Sequence, residues 1–361
     1  MDSSEKLDHI KLNIIYKVII QVMLITKKDI LKIDSEKMHE VYDNWPKIAM
    51  KSYKKNYEIP EFKNIDHIIF AGMGGSGTIG DFFSSILSKT NIHVSVIKGY
   101  NLPQTVDKNS LIIVSSVSGN TEETLAILNQ AKDISVNLMA FSSGGKTEDF
   151  CLKNKIRFQK IEKFHSPRAS FVSYAYAMLK IFSNILPVKQ KHVENSLKTL
   201  NEIRDNINSK NLTKKNQSLN LAENISGMPI IYYPYGLKTA AIRFKNSLQE
   251  NTKLHASMEE ILEMSHNGIV SWERKSKLLP ILIVGKDDHP KTKHRWKIIK
   301  KYFKENNIDF KEISSLKGDI LTKLVCLIYI LDYTSIYKAI ILKTDPNPVK
   351  SIDFIKRNLL N

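Results

Sequence analysis

The stretch "AGMGGSGTIGD" (residues 71–81) follows an apolar run that begins at residue 65. It carries glycines at positions 72, 74 and 77. The run predicts a buried strand, and the glycine spacing matches the G-x-G-x-x-G turn of dinucleotide-binding proteins. In such a turn, free N–H groups at the start of the next helix face a phosphate. The stretch therefore predicts a phosphate-binding turn between a strand and a helix, for a nucleotide or for another phosphate.

From residue 65 onwards, runs rich in valine and isoleucine alternate with longer segments of helical periodicity. This alternation is typical of parallel sheets with crossover helices. In the first half, the predicted strands are 65–71, 92–98, 111–116, 136–141 and 156–161, and the predicted helices are 77–89, 121–133, 146–154 and 168–186. In the second half, the predicted strands are 229–234, 280–284 and 308–313, and the predicted helices are 237–249, 291–305 and 319–342. The sequence thus predicts an α/β fold with two doubly wound parallel sheets.

A chain of 361 residues exceeds the size at which one apolar core normally divides into two. A polar segment at 189–226, without proline or glycine, separates the two alternating halves and predicts connecting helices. The predicted parts are an N-terminal extension at 1–34, a first domain at 35–188, a helical connection at 189–226, and a second domain with a C-terminal tail at 227–361. One interpretation of the extension is that translation starts at Met23 rather than Met1.

The composition argues against several classes of protein. Apolar, aromatic and charged residues make up 42%, 9% and 25% of the chain, close to the averages of soluble globular proteins. Cys151 and Cys326 have no metal-type or disulfide-type spacing, which indicates a reducing compartment. The longest apolar stretch, 324–342, contains Asp332 and Lys338, and this favours a buried core helix over a membrane span. We therefore expect a cytoplasmic protein with no membrane partner.

The formal net charge of +17 raises the alternative of nucleic-acid binding, with 291–306 as the densest basic stretch. That stretch has the periodicity of an amphipathic helix, with Trp296, Ile299, Tyr302 and Phe303 on one side. A solvated basic face explains it, so we expect no nucleic-acid partner. The positive excess is compatible with attraction of an anionic small molecule.

The residues around the glycine turn bear on which phosphate it holds. An NAD site needs an acidic residue at the end of the second strand, where this chain has Lys98, which leaves NADP open. The third strand ends in "SSVSGNT", which puts several hydroxyls at a helix start and suits a terminal phosphate dianion. Helix capping alone would explain one of those hydroxyls. The predicted phosphate or sugar ligands are Gly74, Gly75, Ser76, Ser116, Ser118 and Thr121.

Five motifs, in order, resemble a known family: "GMGGSGTIGD", "SVSGNTEETL", "SPRAS" at 166–170, "AAIRFKNSLQENTK" at 240–253 and "EMSHNGIVSW" at 263–272. They are similar to motifs of the archaeal bifunctional phosphoglucose/phosphomannose isomerases, which have two sugar isomerase (SIS) domains. The resemblance extends from about residue 35 to the C-terminus. It implies two flavodoxin-like domains, a homodimer, and hexose 6-phosphate substrates isomerised through a cis-enediol without metal or nucleotide.

The resemblance also implies roles for four residues of this sequence. Glu250 would move the proton between C1 and C2, and Arg168 would face the oxygens on those carbons. His266 would open the sugar ring from the neighbouring subunit, and Lys356 would assist it, with Lys350 as an alternative. A threonine linked to acceptance of both C2 epimers in some members would fall near Val349, so glucose activity is the stronger expectation.

Two positions depart from the family pattern: Leu262 and Gly268 replace a proline and an acidic residue around the His-Asn pair. Because Glu250, His266 and Arg168 are all present, we expect catalysis to be retained. The sequence is also compatible with two other hypotheses about function. The chain could be a SIS regulator that binds a sugar phosphate without turnover, or an NADP-dependent oxidoreductase. We see no helix-turn-helix pattern of the kind that such a regulator usually carries.

Overall fold

The computed structural model describes residues 25–134 and 137–359. Its first sheet has five parallel strands in the order β2-β1-β3-β4-β5. The strands are β1 (His67–Ala71), β2 (His93–Ile97), β3 (Ser110–Ser116), β4 (Asn137–Ser142) and β5 (Arg157–Lys160). This is the strand order of flavodoxin. The predicted doubly wound α/β fold is confirmed, and each strand overlaps one predicted from the sequence.

The second sheet has four parallel strands in the order β7-β6-β8-β9, which repeats the flavodoxin order without a fifth strand. Its strands are β6 (Met228–Tyr233), β7 (Ser257–Glu260), β8 (Leu278–Val284) and β9 (Lys311–Ser314). Strand β7 was not predicted from the sequence. This edge strand reads "SMEE" and is half-buried along its length, so it has no apolar run to reveal it.

The helices, in chain order, are α1 (Lys27–Ile33), α2 (Met38–Asp43), α3 (Trp45–Lys54), α4 (Gly74–Leu87), α5 (Glu122–Ala131), α6 (Lys146–Lys153), α7 (Phe171–Ile181), α8 (Gln190–Ile207), α9 (Gln217–Asn224), α10 (Lys238–Ser247), α11 (Ile261–Met264), α12 (Pro290–Glu305), α13 (Ile320–Ile341) and α14 (Lys350–Leu359). Two of them begin away from the predicted positions. Helix α4 starts within the glycine turn, earlier than expected, because the Gly77 N–H already donates to the Met73 carbonyl at 3.1 Å. Helix α7 starts at Phe171, so Arg168 lies in the turn before it.

Helix α13 joins the two halves of the molecule. It is long and apolar enough to cross a membrane by composition, but 94% of that apolar segment is buried inside the protein. It packs against α8, α9 and α10, and the same hydrophobic core continues into the helices around the first sheet. A helix that is apolar on all sides requires such a covering. Its burial agrees with the predicted core helix.

The two ends of the described chain differ in burial. In the N-terminal segment, Tyr42 and Trp45 are fully buried, and the rings stack with centroids 4.5 Å apart. In contrast, every residue of α14 is exposed, including Phe354, Ile355 and Leu359. Most of the predicted 1–34 extension, with both candidate start residues Met1 and Met23, lies outside the described residues.

Candidate active site

The turn after β3, residues 116–121, is rich in hydroxyls and is called the hydroxyl turn here. Hydrogen bonds between its own residues stabilise it. Ser116 Oγ donates to Thr121 Oγ1 at 3.0 Å and accepts from the Gly119 N–H at 3.1 Å. Ser118 Oγ lies 3.4 Å from Thr121 Oγ1. Gly119 has φ of +73°, and a Cβ there would lie 1.7 Å from the Gly144 carbonyl oxygen, so only glycine fits. Ser116 is buried, whereas Ser118 and Thr121 keep partly exposed faces that can meet a ligand.

The glycine turn contacts this hydroxyl turn directly. Ser76 is buried, and its Oγ accepts a hydrogen bond from the Val117 N–H at 3.0 Å. Gly75 lies against the next segment of the site, because a Cβ there would be 3.1 Å from the carbonyl carbon and oxygen of Pro167. Gly74 is exposed at the start of α4. Ser76 therefore joins the two turns, and Gly74 lies exposed beside them. The N–H groups of Ser76 and Gly77 donate to the Met73 carbonyl at 3.0 and 3.1 Å.

Glu250 lies in a π-helical turn, Leu248–Thr252, that continues α10. Such turns are rare and frequently occur at functional sites. The Glu250 side chain is 25% exposed, and its Oε2 accepts a hydrogen bond from Arg168 Nη1 at 3.0 Å. It lines a cleft of about 740 Å³ together with Gly74, Lys253 and Lys350. The carboxylate and the glycine turn therefore share one cavity.

Arg168 is 4% exposed, and its guanidinium makes four hydrogen bonds to other residues. Besides the contact with Glu250, its Nε donates to Asn251 Oδ1 at 2.8 Å. Its Nη2 donates to the carbonyls of Pro346 and Asn347 at 2.7 and 3.1 Å. The guanidinium is a fixed cation beside the carboxylate, and it is not among the side chains that line the cleft.

A second arginine supports this arrangement from the core. Arg243 is buried and ion-paired with the buried Asp332, with Nη2 and Oδ2 2.7 Å apart. Burial opposes the charge of Arg243, but the Asp332 carboxylate outweighs it and raises the pKa of Arg243. Arg243 also donates to the carbonyl of Arg168. Neither Arg243 nor Asp332 was predicted as part of the site, because only tertiary contacts connect them to it.

Lys253 is a further cation near Glu250 that the sequence analysis missed. Its Nζ donates to the Glu250 carbonyl at 2.6 Å and to the Asp345 carbonyl at 3.2 Å. Burial and then the charge of Arg168 lower the pKa of Lys253 below its ordinary value. A lysine with a lowered pKa exchanges protons nearer neutral pH than a solvated one.

Other residues predicted for the site lie away from the cleft. His266 is exposed in the turn after α11, and Lys356 is exposed on α14; neither lines the cleft of the described chain. Lys350, the alternative to Lys356, does line it. Lys98, the residue that kept NADP open, forms an ion pair with Asp81 at 2.5 Å. Its charge is therefore already matched within the protein.

The chain matches family models and known proteins with sugar isomerase domains. The family model for the SIS domain matches residues 61–178. The model for the bacterial phospho-glucose isomerase C-terminal SIS domain matches residues 214–359. The bifunctional phosphoglucose/phosphomannose isomerase of Caldicellulosiruptor bescii is 31% identical over 335 residues, covering 89% of this chain and 98% of that protein. The chain belongs to this family.

A second bifunctional phosphoglucose/phosphomannose isomerase, from Aquifex aeolicus, is 30% identical over 81% of this chain and 90% of its own length. These two relatives confirm the predicted family. Among solved structures, the tagatose-6-phosphate ketose/aldose isomerase of Escherichia coli superposes with a TM-score of 0.65 at 15% identity, covering 88% of this chain and 96% of that one. This likeness supports the SIS fold.

The two matched SIS regions divide the candidate site of this family member between them. The first region contains Gly74, the hydroxyl turn and Arg168, and the second contains Glu250 and His266. The cleft lies where the two SIS regions meet, because Gly74 lines it from the first region and Glu250 lines it from the second. Among the described residues, the other predicted phosphate ligands do not line it: Gly75, Ser76, Ser116, Ser118 and Thr121. Residues 25–60 lie outside both matched regions.

Proposed function

We propose that this chain is an aldose–ketose isomerase that interconverts fructose 6-phosphate with glucose 6-phosphate and with mannose 6-phosphate. The observation that carries the proposal is the Glu250 carboxylate, paired with Arg168 at 3.0 Å in the same cleft as the glycine turn. Isomerisation needs a base at one end of the sugar and an anion site at the other. The names and the extent of the two bacterial relatives support the same chemistry.

In the proposed reaction, N–H groups at the start of α4, together with Ser118 and Thr121, bind the phosphate. Glu250 removes the C2 proton of the open-chain aldose while O1 gains a proton, which gives the cis-enediol. The same side chain then returns its proton to C1 as O2 loses one, and the ketose forms. Positive charge on Arg168 stabilises the negative charge that develops on these oxygens, because the cation is fixed before the reaction begins.

We propose that ring opening uses His266 from the second subunit of a homodimer, assisted by Lys356 or Lys350. In support, His266 is exposed outside the cleft of its own chain. Helix α14 also leaves Phe354, Ile355 and Leu359 between 54% and 61% exposed, an apolar face that a partner could cover.

A mixing experiment tests the shared site. Glu250→Gln and His266→Gln variants, each inactive, are denatured together in equal amounts and refolded. If His266 acts across the interface, half of the dimers are mixed and each has one intact site, so about a quarter of wild-type activity returns. If His266 acts within its own chain, no activity returns. Two unmixed samples treated in the same way are the controls.

The proposed activity is tested with purified, chelator-treated protein and fructose 6-phosphate, and the products are identified by NMR. We expect glucose 6-phosphate, with mannose 6-phosphate beside it. Binding of fructose 6-phosphate without any aldose product would favour the SIS regulator instead. A thermal shift with NADPH but none with fructose 6-phosphate would favour an oxidoreductase.

We also infer a cytoplasmic location. Cys151 and Cys326 are the two cysteines of the sequence, and both are buried free thiols. Unpaired thiols persist in reducing compartments.

A further inference from the structure

The N-terminal segment before the first matched SIS region contacts the loop that holds Arg168. Asp34 is 1% exposed, and its Oδ1 accepts a hydrogen bond from Asn347 Nδ2 at 2.9 Å. Asp345 Oδ2 accepts from Ser35 Oγ at 2.6 Å, and Asp345 Oδ1 accepts from Asn347 Nδ2, also at 2.6 Å. The segment 345–347 is therefore fastened to residues 34 and 35 by side-chain hydrogen bonds.

Asp34 is itself fixed by α2. It accepts hydrogen bonds from the N–H groups of Met38 and His39 at 3.0 and 2.8 Å, and its Oδ2 lies 2.6 Å from His39 Nδ1. Burial raises the pKa of Asp34, but the hydrogen bonds from His39 and Asn347 outweigh it and leave the pKa below its ordinary value. Asp34 is thus an ionised, immobile acceptor for the Asn347 side chain.

The other side of the 345–347 segment meets the guanidinium. The carbonyls of Pro346 and Asn347 both accept from Arg168 Nη2, while Nε is fixed by Asn251. A planar guanidinium held at Nε and Nη2 has no freedom left at Nη1, which points at Glu250. Direct contacts therefore run from Asp34 to Asn347, then to Arg168, and finally to the proposed base.

We propose that Asp34 is a positioning residue for catalysis, which acts through Asn347 to hold Arg168 against Glu250. This inference rests on the proposed isomerase activity. Loss of the Asp34 carboxylate removes the bond that ties the Asn347 side chain to α2 and leaves that side chain bonded to Asp345, within its own segment. The contact between Ser35 and Asp345 then holds the segment alone, so the two carbonyls shift and Nη1 moves away from the Glu250 carboxylate. Small displacements of catalytic groups cost far more in turnover than in substrate binding when the phosphate is bound elsewhere.

The test compares Asp34→Ala and Asn347→Ala with wild type at a temperature where all of them are folded. We expect kcat for fructose 6-phosphate to fall on the order of tenfold, with KM changed less than about threefold. A double variant with Arg168→Lys should lose little more than Arg168→Lys alone, because both changes act on the same group. If Asp34→Ala does not fold, Asn347→Ala gives the same comparison.

Asp43→Ala is the matched control. Asp43 accepts hydrogen bonds from the Ser209 N–H at 3.0 Å and from Ser209 Oγ at 2.6 Å, so it fastens the same N-terminal segment to a different place. The Asp43→Ala variant should have a lower melting temperature than wild type and the same kcat. An unchanged kcat in folded Asp34→Ala, or losses that multiply with those of Arg168→Lys, would overturn the inference. A wild-type protein without isomerase activity would instead overturn the proposed function.

Discussion

Replacing Arg168 with lysine tests how the site holds its cation. The change keeps the positive charge, but it replaces a planar guanidinium that makes four hydrogen bonds with a single ammonium group. A single nitrogen on a flexible chain cannot reach Glu250, Asn251 and two carbonyls together. The carbonyls of Pro346 and Asn347 then lose a buried donor, at a cost of about 1–3 kcal/mol for each group. For the two carbonyls together, we expect a free energy of unfolding about 2–6 kcal/mol below that of wild type.

The catalytic loss should be larger than this instability suggests. Arg168 contacts the proposed base rather than the cleft, so loss of its guanidinium displaces the Glu250 carboxylate. Misplacement of a catalytic group by about 1 Å can cost on the order of 10² in rate. Initial rates are measured with fructose 6-phosphate and a coupled dehydrogenase, well below the melting temperature found by calorimetry. Arg204→Lys is the control, because Arg204 forms an ion pair with its exposed neighbour Asp205 and not with any other described residue, so this change should affect neither quantity. A folded Arg168→Lys enzyme with kcat within about threefold of wild type would refute the reasoning.

Three further outcomes are expected. Asp332→Asn leaves the buried Arg243 charge unpaired and should lower the free energy of unfolding in urea by about 3–5 kcal/mol; a loss below about 1 kcal/mol would contradict this. Lys350→Met should reduce kcat more than Lys356→Met, since only Lys350 lines the cleft, and the reverse order would be evidence against that placement. Burial raises the pKa of the Cys151 thiol to about 11. Iodoacetamide at pH 8 should therefore leave Cys151 unmodified in the folded enzyme and modify it in urea, and its reaction with Cys151 should become faster as the pH approaches 11.

Much of the fold could be predicted from residue patterns, because buried parallel strands need continuous apolar runs. Strands β1, β3 and β4 follow from such runs, and α13 follows from its length and its apolar surface. Strand β7 could not be found in this way, because a half-exposed edge strand needs no apolar run. Helices α2 and α3 were also not predicted. The polar segment after Met23 is helix-like in sequence, and α1 lies there with a capping box of Thr26 and Asp29.

The candidate site was predictable only in part. The glycine and hydroxyl turns are local patterns at the ends of strands, where parallel sheets bind ligands. Glu250, Arg168 and His266 came from resemblance to a family rather than from spacing. Asp34, Asn347 and Lys253 carry no local signal, because each acquires its place through contacts between segments far apart in the chain.

The central claim is that the Glu250 carboxylate moves the proton between C1 and C2. The most direct measurement is isomerisation of fructose 6-phosphate by Glu250→Gln beside Glu162→Gln, a surface control, with substrate affinity determined separately by calorimetry. We predict that Glu250→Gln binds fructose 6-phosphate as wild type does and loses turnover by on the order of 10³, while Glu162→Gln keeps both. Turnover by Glu250→Gln within about tenfold of wild type would contradict the account.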